Sequence, residues 1–181
     1  MRRYAVVVIV AGQPPRAMDP APAYDDDIPH DLVHYVVEAE LAFTNGVYGR
    51  AERGAGTFTS TADRDVTPRE RARERRKQQR RERALGAQDA RNAADMAQSE
   101  RLAALCDVVW RRKHGQHPDP ARSAPVVPTE DAAAIERVVS RLDVIAPLWR
   151  ALPVGGEIVF EWPSVVPTVA DLSDARRRDG Q

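Results

Sequence analysis

The residues best suited to chemistry are two histidines four positions apart, His30 and His34, in the run His30-Asp31-Leu32-Val33-His34. On an α-helix, positions i and i+4 share a face, so both imidazoles can be offered to one metal ion. Glu38 follows one turn later on the same side. Imidazole nitrogen with a carboxylate oxygen is the donor set of a divalent ion such as zinc. His30, His34 and Glu38 are therefore the candidate ligands, and Asp31 and Glu38 the candidate acid–base groups. The plainer alternative ranks first: His30 and His34 as partly exposed residues on the polar side of a scaffold helix in a non-catalytic structural or interaction domain. A second pair, His114 and His117, stands in a Pro- and Gly-rich stretch, where solvated histidines are the rule.

The H-D-x-x-H spacing resembles the H-E-x-x-H of zinc metalloproteases, with Asp31 at the position of their general base. It departs from them in the shorter acid and in the lack of an evident later third ligand. That resemblance implies a metal-dependent hydrolase.

A different chemistry is offered by residues 69–83, with nine basic side chains against three glutamates, 9 − 3 = +6. Arginines Arg69, Arg73, Arg76, Arg80 and Arg83 are the candidate partner-binding residues, for a nucleic-acid phosphate backbone or an acidic protein. No aromatic side chain interrupts the run, so the base-stacking element of single-strand binders is missing. Arginines surround the helical wheel and leave no apolar stripe, which predicts a protruding arm, solvated or docked within the chain. Between Asp19 and Glu40 lie seven carboxylates and no Lys or Arg, a counterpart for such docking.

The element that must position the histidines is a helix over 29–44. Asp27 suits its N-cap and Pro29 its first turn, with Asn45-Gly46 as its end. At about 100° per residue Leu32, Val33, Val36, Val37, Ala39 and Phe43 share one arc. His34, Tyr35, Glu38 and Asp31 fall on the opposite, polar side, with His30 at the border. Glu40 interrupts the apolar arc and calls for an arginine partner, with Arg137, Arg141 and Arg150 as the candidates.

Further elements follow the same logic. Residues 4–10 are apolar on both alternating faces and read as an interior strand. Residues 13–27 and 114–128, rich in proline, read as loops. A short turn of helix at 47–53 and a strand at 57–60 precede the arm at 68–84. Helices over 99–113 and 130–145 come next, Pro147 breaking or kinking the latter. Residues 157–162 alternate, with Ile158, Phe160 and Trp162 on one side. The reading is an α+β fold with a small antiparallel or mixed sheet containing 4–10 and 157–162, packed against these helices. It forms one domain over 1–163, with a loosely held tail at 164–181.

Composition narrows the class. The chain has 181 residues, 43% hydrophobic and 30% charged, with a formal net charge of zero, so global electrostatics select no partner. Cys106 is the only cysteine, which excludes an intrachain disulfide and fits a reducing compartment. No run is long and apolar enough to span a bilayer, and a cytoplasmic location is the expectation.

Two islands, Pro29-His30-Asp31-Leu32-Val33-His34-Tyr35-Val36-Val37-Glu38 with Gly46-Val47-Tyr48-Gly49, and Leu152-Pro153-Val154-Gly155-Gly156 with Ile158-Val159-Phe160-Glu161-Trp162-Pro163, resemble the motifs of a family of uncharacterised bacterial proteins. The resemblance implies a shared fold from the first strand to Pro163 and no activity.

Overall fold

A computed structural model describes residues 2–22, 24–56, 58–60, 69, 72, 73, 76, 79, 80, 90–116 and 128–170. In chain order the elements are β1 (Val6–Val8), β2 (Arg16–Met18), α1 (His30–Glu40), α2 (Val47–Glu52) and β3 (Thr59–Ser60). Then come α3 (Ala90–Lys113), a 3₁₀ turn (Thr129–Asp131), α4 (Ala132–Ala151), β4 (Glu157–Val159) and β5 (Thr168–Ala170). The fold is mostly helical with two small antiparallel sheets, an α+β-like arrangement. Two compact units are present, Met1–Tyr24 with Phe43–Glu100, and Asp25–Ala42 with Arg101–Gln181. The two segments expected to share a sheet, 4–10 and 157–162, belong to separate sheets.

In the first unit β2 is the central strand, paired antiparallel with β1 (Val6 opposite Met18) and β3 (Arg16 opposite Ser60). The expected interior strand is therefore an edge strand, and its side chains alternate half-buried and exposed, with Val7 56% and Ile9 78% exposed. Hydrophobicity on both faces signals strand, but burial on both faces needs a layer on each side. The Pro-rich stretch expected to be a loop contains β2. The reason is Arg16: its buried guanidinium donates to the carbonyls of Ala55 (3.2 Å) and Ala51. The Ala51 carbonyl, in the last turn of α2, also accepts from the Gly54 N–H at 3.0 Å, and the strand arginine adds a second donor there and one to Ala55 just beyond the helix.

The start of α2 is equally specific. Gly46 is its N-cap. A Cβ on Gly49 would lie 2.5 Å from the Thr44 carbonyl oxygen, so only glycine lets the helix approach that backbone. Asp95 of α3 holds the same corner, accepting from the Asn45 side-chain amide at 2.9 Å and its backbone N–H at 3.3 Å.

In the second unit α1 packs on α4. Val33, Val36 and Val37 of α1 and Ile135, Val138, Leu142 and Ile145 of α4 are buried. Helix α1 ends at Glu40, earlier than expected, because Ala42 takes a left-handed conformation (φ 54°) and reverses the chain. Alanine carries no signal for that turn. Helix α4 continues without a break through Pro147 to Ala151, where a break or kink was expected. Its last turn is tied down: Trp149 Nε1 donates to the Asp25 carbonyl (2.9 Å) and Arg150 lies 3.8 Å from the Asp27 carboxylate.

The alternation over 157–162 is observed, with Ile158, Phe160 and Trp162 half-buried between exposed neighbours. Phe160 and Trp162 pack on Tyr35, with ring centroids at 4.7 and 5.6 Å. The hydrogen-bonding partner of β4 is β5, from the stretch expected to be loose, with Ile158 opposite Val169. A strand with one apolar face still needs its backbone groups paired, and the nearest following segment supplies them. Residues 171–181 lie outside the described residues.

Candidate functional site

The site begins at the N-terminus of α1. Asp25, not Asp27, organises the entry: its Oδ1 accepts from the N–H groups of Asp27 (2.8 Å) and Ile28 (3.1 Å). Pro29 is the N-cap, with extended backbone, and His30 opens the helix. One turn later His34 brings its Nε2 to 3.2 Å from Nε2 of His30. The rings meet edge to face, with centroids 4.6 Å apart and planes at 85°. His34 is buried, 5% exposed, and His30 is half-buried. Nδ1 of His30 is enclosed and has no hydrogen-bond partner. Two imidazole nitrogens at this separation either share a proton, one ring donating to the other, or share a cation.

Helix α1 is buried all round from Val33 to Glu38, which corrects the helical wheel. His34, Tyr35 and Glu38 face the interior, not solvent, and Glu38 is wholly enclosed. Burial pushes the Tyr35 hydroxyl up to about 12, and that hydroxyl donates to the Ser164 carbonyl at 2.8 Å. A wheel ranks faces by composition, and a helix covered on every side also buries its polar arc. Among the described residues Glu38 does not join the two histidines in a set of ligand atoms close enough for one ion. Asp31 is half-buried.

Glu40 does what its position on the apolar arc demands. Arg141 donates from Nε to Glu40 Oε1 at 2.5 Å, and Arg137 Nε lies 4.0 Å from Oε2.

Two further polar clusters form in this unit. Arg111 pairs with Asp107 (2.9 Å) and Asp25 (3.0 Å). Burial works against the charged Arg111, but those two carboxylates hold its pKa above the ordinary value. Asp143 of α4 accepts from Trp110 Nε1 (3.1 Å), His114 Nε2 (2.8 Å) and Lys113. Burial opposes its ionisation, yet the hydrogen bonds and charges of Lys113 and His114 hold its carboxyl below the usual range. Asp143 carries no signal for this role in the sequence, since an acid beside the apolar arc of an amphipathic helix reads as a solvated charge. His114 is accounted for as its partner, and His117 lies outside the described residues. Cys106 is buried, and burial, with the charges of Asp131 and Asp107, pushes its thiol up to about 12. It is a core residue, as its helical register implied.

The arginine candidates Arg69, Arg73, Arg76 and Arg80 are helical and exposed, and Arg83 lies outside the described residues. Among the described residues, no helix is long and apolar enough to cross a membrane. No family model, curated protein or solved structure matches the chain.

Proposed function

We propose that this protein binds a divalent transition-metal ion of the zinc class through Nε2 of His30 and His34. The 3.2 Å separation of these two atoms carries the reading. Two imidazole ligands at the usual Zn–N length of about 2.0–2.1 Å, at a tetrahedral angle, stand about 3.3–3.4 Å apart. The i, i+4 spacing that supplies the pair is fixed by helix geometry, and burial of His34 limits the rotamers lost on binding. Two ring nitrogens leave the remaining positions to water or to a carboxylate. The function proposed is binding, and no reaction is assigned to Asp31 or Glu38.

The test is titration of tag-free protein with cobalt(II) as a spectroscopic stand-in, followed by competition with zinc. Stoichiometric binding with the intense visible bands of a tetrahedral site is expected, lost in both His30→Ala and His34→Ala and kept in His114→Ala. Binding should weaken on acidification, because a protonated imidazole cannot ligate. Equal cobalt uptake by the parent and the His30→Ala/His34→Ala double variant would overturn the proposal.

A further inference from the structure

The arginine-rich run carries an inference independent of the metal reading. Arg69, Arg73, Arg76 and Arg80 are all helical and all exposed. Successive spacings of four, three and four residues place them, at about 100° per residue, within one arc of about 60°. The fold agrees with the pattern: Arg69, Arg73 and Arg76 line one open hollow together with Ala72. None of the four has an ion pair or hydrogen bond to a described residue. This sets them apart from Arg16, Arg101, Arg111 and Arg141, each of which has a carbonyl or carboxylate partner.

We infer that the face bearing Arg69, Arg73, Arg76 and Arg80 binds the phosphate backbone of a nucleic acid without reading its bases. Three features select this partner. The first is the spacing: arginines four and three residues apart rise about 6.0 and 4.5 Å along a helix. A polynucleotide strand likewise presents its charges at short, regular intervals. The second is the use of arginine alone at these four positions, since the planar guanidinium grips phosphate oxygens with two parallel N–H donors. The third is what the stripe lacks. It has no aromatic residue to stack on bases, and among the described residues its apolar neighbour, Ala72, is too small for insertion into a lipid layer.

The full-length protein, titrated against a short labelled duplex of random sequence, provides the test, read by fluorescence anisotropy over a range of potassium chloride concentrations. Four phosphate contacts predict a slope of log K against log salt of about −3.6, and each Arg→Gln substitution should reduce its magnitude by about 0.9. Affinity should be the same for duplexes of unrelated sequence. The substitutions lie on exposed side chains, so circular dichroism and thermal midpoint should not move, which separates lost contacts from lost folding. Three results would overturn the inference: no binding at low salt, unchanged binding by the Arg69→Gln/Arg73→Gln/Arg76→Gln/Arg80→Gln variant, or equal affinity for polyglutamate, which would assign the stripe to acidic proteins.

Discussion

Helix α1 and the arginine stripe are both dense in charge, and the protein treats them in opposite ways. In α1 and the acidic turn before it, Asp25 pairs with Arg111, Asp27 lies near Arg150, and Glu40 pairs with Arg141. Glu38 is enclosed altogether. Along the stripe, four guanidinium groups stand in solvent with no described partner. A charge that is buried or half-buried must be paired or hydrogen-bonded, because desolvation is otherwise too costly. A solvated charge has no such requirement and is available to something outside the chain. Charge density alone therefore says little about role; the environment of each charge separates those paired within the fold from those with no described partner.

That contrast can be broken by measurement, beginning where the effect should be largest. Glu38→Ala removes a fully enclosed carboxylate from the middle of α1 and should cost about 3 kcal/mol or more. Glu40→Ala should cost only about 1 kcal/mol, since the side chains of Arg141 and Arg137 are about half exposed and solvent screens the pairs. The helical wheel ranks these two variants the other way round, so the order of their denaturant midpoints, at constant m-value, decides between wheel and fold. Equal midpoints would show that the enclosure of Glu38 confers no stability, and the comparison would fail at its strongest point.

A smaller effect is expected at the start of α4. Arg101 grips Asp131 with two hydrogen bonds, at 2.5 and 3.1 Å, and these bonds lower the carboxyl's pKa below its ordinary value of 3.8. A depressed carboxylate stabilises the fold at pH values above its unfolded pKa, and that contribution disappears as pH falls through the lower native value. Thermal midpoints measured downward from neutral pH should therefore drop less steeply in acid for Asp131→Asn than for the parent. Parallel profiles would mean that the Arg101 pair is too well solvated to matter.

The smallest effect belongs to the stripe. Arg73→Ala/Arg76→Ala should change stability by no more than about 0.5 kcal/mol, because the side chains have no described partner to lose and alanine favours helix. A loss of several kcal/mol on chemical denaturation would show that these arginines serve the fold, and the distinction between the two regions would collapse.

Periodicity made α1, α2, the C-terminal half of α3 and most of α4 legible in advance, because 3.6-residue patterning and Gly or Pro punctuation are local properties. The same local geometry put His30 and His34 on one face and gave Glu40 its arginine. Cys106 was likewise readable as a core thiol from its helical neighbours.

What the sequence could not contain were choices of partner made across long stretches of chain. β4 pairs with β5 and not with the first strand; Arg16, in a run that reads as loop, becomes a strand residue that caps a helix 35 positions away. Helix α4 survives Pro147 because Trp149 and Arg150 reach back to residues 25 and 27. Enclosure of Glu38 and His34 was equally invisible, since a helical wheel records the composition of each face but not what covers it. Spacing along a chain determines which side chains share a face, whereas burial is a property of all the surfaces that meet there, and only the folded molecule brings those together.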